Sequence, residues 1–478
     1  MGISRKLGGE LVVLMLETSI PGLEHDEDKA LREMLQKLAK VTPKNQLLTA
    51  YYDGHRAFKD LGISIPPQLR NSKAALGWPS KAVKALSRKH VFEGFSLNGE
   101  TDPFGIDELL VRNRFALELP QTITSSYKHS CSFMTVTPGD TAVGEPAVLV
   151  QARSAEWTTA IWDKRRREIS AFLAIVDTES TGEPKDMILM LPGKVLMLRK
   201  VIYNGWIIDR RTVKSKRILA EMFPYDPQLD RPFGHSRITR EVRYLTDVAV
   251  RSLVRTETSA EFYTSPQRWA MNVDPDAFDA GRWSAIIGRM LALESDPDGF
   301  EPKVGQFPQM SMEPHLSMYR QLAQNFCAAT ELPQSSVGIY ADNPSSAEAM
   351  QAAEAQLSDE AEYQWGIFNP ALVRIAQDIV MLRDGLEEPP SETWKIGVKH
   401  QPARYVSPQA AADFTAKAVA SIPKIAETTE ALRGLGFSKE AIEDMQADWR
   451  RNGSSSVLEQ IMQARQAQEP SPVPDKAV

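Results

Sequence analysis

Apolar or aromatic residues at Met312, Leu316, Tyr319, Leu322 and Phe326 recur every three or four positions, which predicts one face of a helix. Ser311 suits its N-cap, Glu313 and Pro314 its first turn, and Pro333 its stop, because the residue before a proline is pushed out of the helical region. A polar stretch with Ser, Gly, Asn and Pro follows. A second helix is then predicted from the caps Ser345 and Ser346 to Gly385. Its stripe of Met350, Ala353, Leu357, Ala361, Trp365, Phe368, Leu372, Ile375, Ile379 and Leu382 keeps the rhythm for about ten turns, on the order of 60 Å of rise. Pro370 removes a donor inside it and predicts a kink near Trp365 to Asn369.

The same reading organises the rest of the chain. Asp26 to Lys40 is a charged amphipathic helix with Leu31, Met34, Leu35 and Leu38 inward and Thr42-Pro43 as its break. Ser80 to Lys89 and Phe104 to Leu119 read as further helices, the latter ending at Pro120. From Tyr127 to Asp209 the texture turns to strands: Cys131 to Val136, Ala147 to Ala152, Trp157 to Trp162, Glu168 to Val176, Met187 to Leu191 and Lys194 to Arg199. Tyr203-Asn204-Gly205-Trp206 is the clearest hairpin signal, since Asn-Gly accepts the positive φ of a type I′ turn. After the connector Pro224 to Gly234, Ser236 is expected to cap a helix to about Tyr263, with Ile238, Val242, Leu245, Ala249, Leu253, Thr256 and Ala260 as its apolar stripe. Arg240, Arg243, Asp247, Arg251 and Arg255 share another face, which suits a channel wall, a subunit contact or a solvated surface. Thr264 to Met310 leaves helix, with Ile286 to Glu294 and Lys303 to Phe307 as candidate strands. Thr393 to His400 reads as a strand. One helix follows from Ser407-Pro408 to Gly434, a second from Ser438 to Trp449 and a last piece over Val457 to Gln466.

Three runs carry a family likeness: Leu332-Pro333-Gln334-Ser335-Ser336-Val337-Gly338, Asn343-Pro344-Ser345-Ser346-Ala347-Glu348, and Phe233-Gly234-His235-Ser236-Arg237-Ile238. Tyr51-Tyr52-Asp53-Gly54 and Glu93-Gly94-Phe95 add to it. At these residues the chain resembles the portal proteins of tailed bacteriophages, in the form common among phages of actinobacteria, and the likeness covers most of its length. Where that family usually has Asn-Trp, this chain has Gly77-Trp78 followed by Pro79.

The resemblance implies an α+β subunit with an α/β wing, a helical stem, a small β-containing clip, a long kinked helix and a helical crown. In these residues the wing is 1–235 and the stem helices are 236–265 and 311–333, with the clip at 266–310 between them. The tunnel loop is 334–346, the long helix with a wing strand 347–400, and the crown 401–466. The prolines of 467–478 predict a disordered tail. It further implies a twelve-subunit ring at one capsid vertex of the virion, assembled in the host bacterial cytoplasm, through which double-stranded DNA is packaged and ejected. Implied partners are the terminase large subunit as packaging motor, the major capsid protein and a head-completion or adaptor protein. Gln334, Ser335, Ser336, Asn343, Ser345 and Ser346 would touch DNA transiently and without sequence preference, because small polar side chains reach phosphates but read no base. Gly338, Pro344 and Pro370 would be hinges.

Composition changes this picture little. The 478 residues, 42% hydrophobic and 25% charged, are ordinary globular usage and can bury a sizeable core. Two cysteines, Cys131 and Cys327, argue against a secreted disulfide scaffold. The apolar run Leu11 to Leu16 is too short to span a bilayer, so no membrane role is expected. A net charge of −6 would repel DNA on average, as a conduit requires, and would equally serve solubility.

Candidate chemistry is sparse. No phosphate-binding G-x-x-x-x-G-K-[ST] run occurs, Gly193-Lys194 being an isolated pair, and no zinc spacing involves His235 or His315, so no cofactor or metal is expected. Ser125-Ser126-Tyr127-Lys128 matches S-x-x-K without its companion motifs. Asp26, Glu27, Asp28, Glu360 and Glu362 could serve a metal-dependent nucleic-acid-processing enzyme, the alternative to a structural role, but a solvated helix face is the simpler account.

Overall fold

The computed structural model describes residues 20–55, 74–180, 182–201, 205–264, 268–271, 303–306, 311–339, 347–404, 408–437 and 441–451. The chain divides into two compact units, Met1–Ala403 and Arg404–Val478.

The first unit is layered. Strands β5 (Thr158–Asp163), β6 (Glu168–Thr178), β7 (Pro184–Leu191), β8 (Lys194–Val201) and β9 (Gly205–Thr212) form a five-stranded antiparallel sheet in sequence order. On one face, Leu173, Met187, Leu189, Leu196 and Leu198 pack against Leu31, Met34, Leu35 and Leu38 of helix α1 (His25–Tyr52). On the other, Phe172, Ala174, Ile188 and Met190 meet Phe133, Ala220 and Met222 of a second sheet. That sheet has the order β10 (Ala220–Pro224), β3 (Cys131–Pro138), β4 (Val148–Ser154). Because both faces of β7 are covered, its sequence reads as a continuous apolar run and not as an alternation. The outer face of the second sheet, with Met134, Val136, Val150 and Phe223, joins the largest core, shared with helices α2 (Trp78–Ser87), α4 (Phe115–His129), α5 (Arg240–Thr264), α6 (Glu313–Thr330) and α7 (Ala347–Asp384). Strand β1 (Phe92–Leu97) pairs with β2 (Glu100–Thr101) on one side and β13 (Gly397–His400) on the other. This is the α+β class that the family resemblance implies.

Helices α5 and α6 run antiparallel. Arg237, just before α5, donates to the carbonyl of Thr330 at the end of α6 (2.6 Å), while Ser259 near the end of α5 bonds His315 in the first turn of α6 (3.1 Å). The chain between them includes the antiparallel pair β11 (Arg268–Met271) and β12 (Lys303–Gln306), of which β12 was foreseen and β11 was not. Residues 286–294 lie outside the described residues, as do Val457 to Gln466 and the tail. Helix α7 spans 38 residues, about 57 Å at 1.5 Å per residue. Leu357, Ala361, Trp365, Phe368, Leu372, Ile375 and Ile379 of its expected stripe are buried, Leu382 is half-buried and Ala353 is exposed.

Several expected boundaries move. Helix α1 runs through Pro43 to Tyr52, and α4 runs through Pro120 to His129. Each proline deletes one helical bond, while the residues beyond it, Leu48 and Tyr51 in α1 and Ile123 and Tyr127 in α4, are buried and hold the helix in register. The expected helix over 104–119 is instead split. Asn113 breaks it because its side chain acts as a strand, accepting from Val150 N (2.8 Å) and donating to Val148 O (2.9 Å) at the edge of β4. A short α3 (Asp107–Arg112) precedes it, and Arg114 turns the chain with φ 52°.

Helix α5 starts at Arg240 and not at Ser236. Ser236 spends its hydroxyl on Lys128 O (2.7 Å), and Thr239 takes the capping bond from Val242 N (3.2 Å). Leu253, Thr256 and Ala260 of its expected stripe are half-buried, whereas Val250, Ser252 and Val254 are buried. The Asn-Gly turn is also displaced: Gly205 is already a strand residue opposite Val201. This register puts Trp206 and Ile208 on the α1 face beside Leu196 and Leu198, and a turn centred on Asn204 and Gly205 would send them to the opposite face. Of Thr393 to His400, the first part is a 3₁₀ turn, Ser391–Lys395.

In the second unit, the expected long helix breaks into α8 (Pro408–Ser421), a 3₁₀ turn (Pro423–Glu427) and α9 (Thr429–Gly434). Ile422 sits before Pro423 and leaves helix, with φ −135° and ψ 86°. Thr428 caps α9 by accepting from Ala431 N, and residues 441–451 are again helical.

Candidate functional site

The segment leaving α6 is shaped by its first residues. Glu331 takes a left-handed conformation (φ 55°) and ends the helix; Leu332 is buried and its amide bonds Cys327 O (3.1 Å). Gln334–Val337 form a 3₁₀ turn closed by Gly338 at φ 82°, with Ile339 N donating to Gln334 O (3.2 Å). Gln334 and Ser335 are exposed and Ser336 is half-buried. The carbonyl of Ser336 accepts from Lys81 of α2. Asn343, Pro344, Ser345 and Ser346 lie outside the described residues.

The expected arginine stripe is not one uniform surface. Arg240 is exposed, Arg243 donates to its own helix at Thr239 O (3.3 Å), and Arg251 and Arg255 are half-buried. Asp247 accepts from Tyr51 OH of α1 (2.9 Å), so it braces the unit internally. Pro370 is exposed within a helix that stays continuous, leaving the carbonyl of Gly366 without its usual helical partner. Clefts of about 240 and 500 Å³ flank it, both lined by Pro370 and Arg374. Trp365, stacked on His400 (4.5 Å, 15°), and buried Phe368 pin the helix just before it.

Sequence reasoning missed the buried polar clusters that hold these helices. Arg237 is 5% exposed and donates to Ala82 O of α2 (2.9 Å), Thr330 O, Tyr225 OH (3.1 Å) and the carboxylate of Glu360 on α7. Tyr225 also donates to Glu360. A second cluster surrounds Arg217, which reaches Gln377 Oε1 (2.9 Å), Arg374 O (2.9 Å), Glu221 (3.2 Å) and Asp378 (3.0 Å). Burial raises the Asp378 carboxyl well above the usual carboxylate range, against the pull of Arg217.

The acids considered for a metal are occupied otherwise. Glu27 is fully buried and paired with Lys194 (2.9 Å) and Arg210 (2.8 Å), tying α1 to β8 and β9. Burial works against its ionisation, but the bonds from Arg210 and Lys194 outweigh it and lower its pKa to about 2. Asp28 pairs with Arg32, and Glu362 accepts from Ala403 N (2.6 Å). A solvated helix face therefore describes neither Glu27 nor Glu360. Among the described residues, no three His, Cys, Asp or Glu side chains converge as a metal site would require, and no helix is long and apolar enough to cross a membrane. His235 faces Asp226 (3.3 Å). Only the position of Arg237 inside the Phe233 to Ile238 run hinted at these clusters, since most of the partners lie 93 or more residues away and leave no local pattern.

The family model for phage portal proteins of the SPP1 Gp6-like type matches residues 32–455. The portal protein of Mycobacterium phage L5 is 26% identical over 401 residues, covering 78% of each chain, and that of Mycobacterium phage D29 is 27% identical over 390 residues with the same coverage. Among solved structures, a chain from the neck of a native GTA particle computed with C12 symmetry aligns with 82% of this chain and 99% of its own, at 14% identity and a TM-score of 0.42. A chain from the neck of an empty GTA particle, computed with C6 symmetry, covers 79% and 95% at a TM-score of 0.43. With a family match extending over nearly its whole length, the chain belongs to the SPP1 Gp6-like family of phage portal proteins.

Proposed function

We propose that this structural portal subunit assembles with eleven copies of itself into a ring at one vertex of a phage capsid, and that double-stranded DNA enters and leaves through the hole. The family match over residues 32–455 carries this reading. The antiparallel pair α5 and α6, with its β insert at the far end, supports assigning these helices to the stem and the insert to the clip. The clip would be offered to the terminase large subunit during packaging and to a head-completion protein afterwards, while the wing and crown would face the major capsid protein and the capsid interior. Assembly would take place in the bacterial cytoplasm, and the subunit would carry out no catalysis.

The segment 334–346 is assigned to the channel wall. Gln334, Ser335 and Ser336, with Asn343, Ser345 and Ser346, would meet phosphates one at a time and hold none tightly, as a sliding duplex requires. Gly338, Pro344 and Pro370 would take up shape changes as subunits follow the helical pitch. Arg240, Arg243, Arg251 and Arg255 would offer local positive rungs in a subunit whose net charge of −6 otherwise repels DNA.

Native mass spectrometry tests the ring: twelve copies of the 53.3 kDa chain are expected, and a monomer at high concentration would overturn it. Deleting Ser335 to Asn343 should leave the twelve-copy ring assembly intact and shorten the packaged genome. Magnesium-dependent DNA cleavage by the purified protein would instead favour an enzyme.

A further inference from the structure

Arg237 does more than fill a buried site. Its guanidinium contacts the last residue of α6 (Thr330 O), the fourth turn of α7 (Glu360), α2 (Ala82 O) and the exit of β10 (Tyr225 OH), while its backbone amide bonds Tyr127 O of α4 (2.9 Å). The donors of a guanidinium lie in one rigid plane, so a shift of a few tenths of an ångström in any one target breaks geometry with the others. Thr330 is the residue from which the 331–346 segment departs, and Glu360 sits on the helix into which that segment returns. Lys81, adjacent to Ala82 in α2, reaches the segment itself at Ser336 O. The departing end of the segment and its first turn thus rest on one frame of α2, α6 and α7, and Glu360 joins that frame thirteen residues into α7.

We propose that Arg237 is the positioning residue for residues 331–339. It locks the end of α6 to α7 and α2 as a single seat from which these residues depart, and so fixes where their 3₁₀ turn stands. This rests on the reading of 334–346 as channel-facing. If the ion pair served stability alone, uncharged residues of similar volume would serve as well, and a role in positioning is what they would not restore.

Three full-length variants separate positioning from mere stability. Arg237→Met should lower the denaturation midpoint, because half-buried Glu360 loses its cation and Thr330 O its donor. Arg237→Met with Glu360→Gln should recover most of the midpoint and the twelve-copy ring, since the new side chain carries no charge left without its cation and its amide oxygen still accepts from Tyr225 OH. In that repaired variant, amide hydrogen exchange over residues 331–339 should nevertheless be about tenfold faster or more than in the wild type, and packaged genomes should be shorter. Arg237→Lys, which keeps the charge without the fork, should show the same fast exchange and carries the test if the double variant does not fold. Wild-type exchange in both variants overturns the seat. Fast exchange with full-length genomes would leave the seat standing and overturn the channel assignment of the segment; a monomeric wild type would overturn the ring.

Discussion

Replacing Gly234 with alanine tests how tightly the connector after β10 closes over the strand ends beneath it. Gly234 has φ 66°, a conformation costing a residue with a side chain about 1–2 kcal/mol. A Cβ added there would overlap the carbonyl oxygen of Tyr225 and lie 3.0 Å from Ser130 O, both backbone atoms that cannot swing aside. Those carbonyls are engaged: Tyr225 O accepts from His235 N (3.0 Å) and Ser130 O from Tyr225 N (2.9 Å). Separating the strands to admit the methyl group should lose at least one of these bonds, about 1 kcal/mol net. Overpacking adds about 1–3 kcal/mol. The expected total of about 3–6 kcal/mol is a large part of the stability of an ordinary domain. Urea denaturation followed by tryptophan fluorescence and by circular dichroism measures it, coincident curves justifying a two-state treatment. Gly99→Ala is the matched control, because Gly99 also has positive φ (91°) but nothing within 4 Å of its added Cβ. It should cost only the conformational part, about 1–2 kcal/mol. Equal midpoints for the two variants would refute the argument from close approach.

Acid should destabilise the fold in two stages. Burial holds the pKa of His90 down at about 4 and that of His129 at about 3, against 6.5 unfolded. The unfolded chain therefore binds more protons below pH 6.5, and stability should fall by about 2 kcal/mol for each histidine between pH 6.5 and 5. Urea midpoints across that range should flatten in a His90→Gln, His129→Asn double variant, and an unchanged slope would refute the assignment. Glu27 contributes stability that is present above its unfolded pKa of 4.5 and lost as pH falls towards about 2; Glu27→Gln should remove that acid limb, worth about 3 kcal/mol. Cys131 is buried and its thiol is pushed up to about 12, so alkylation at pH 8 should spare it until denaturant is added. Phe368→Ala, at a fully buried position where α7 meets Tyr127 and Phe223, should cost about 3–5 kcal/mol in the same urea assay.

Helices α5, α6 and α7 and the strands from Cys131 to Val201 were legible because each buries a face or a run, and burial leaves a period in the sequence. Pro43, Pro120 and Asn113 misled for the opposite reason: their local preferences are worth a few kcal/mol at most, and the contacts that overrule or exploit them come from distant chain. Family likeness singled out Gln334, Ser335 and Ser336, and the structure puts them in a 3₁₀ turn with the first two exposed. Glu360 illustrates the limit, since an acid on an amphipathic helix reads as solvated until Arg237, 123 residues away, is placed beside it.

The periodicity of apolar and polar residues was enough by itself to place the helices α5, α6 and α7 and most strands between Cys131 and Val201, while the matching motifs, through their family resemblance, implied the α+β class, the insert between the paired helices and the portal family. These depend on the chemistry of neighbours a few positions apart. Tertiary structure decided where α1 and α4 continue past proline, which register β9 adopts, and which charges are buried. Those outcomes are set by the free energy of covering a particular surface with residues remote in the chain, and no local window contains that quantity.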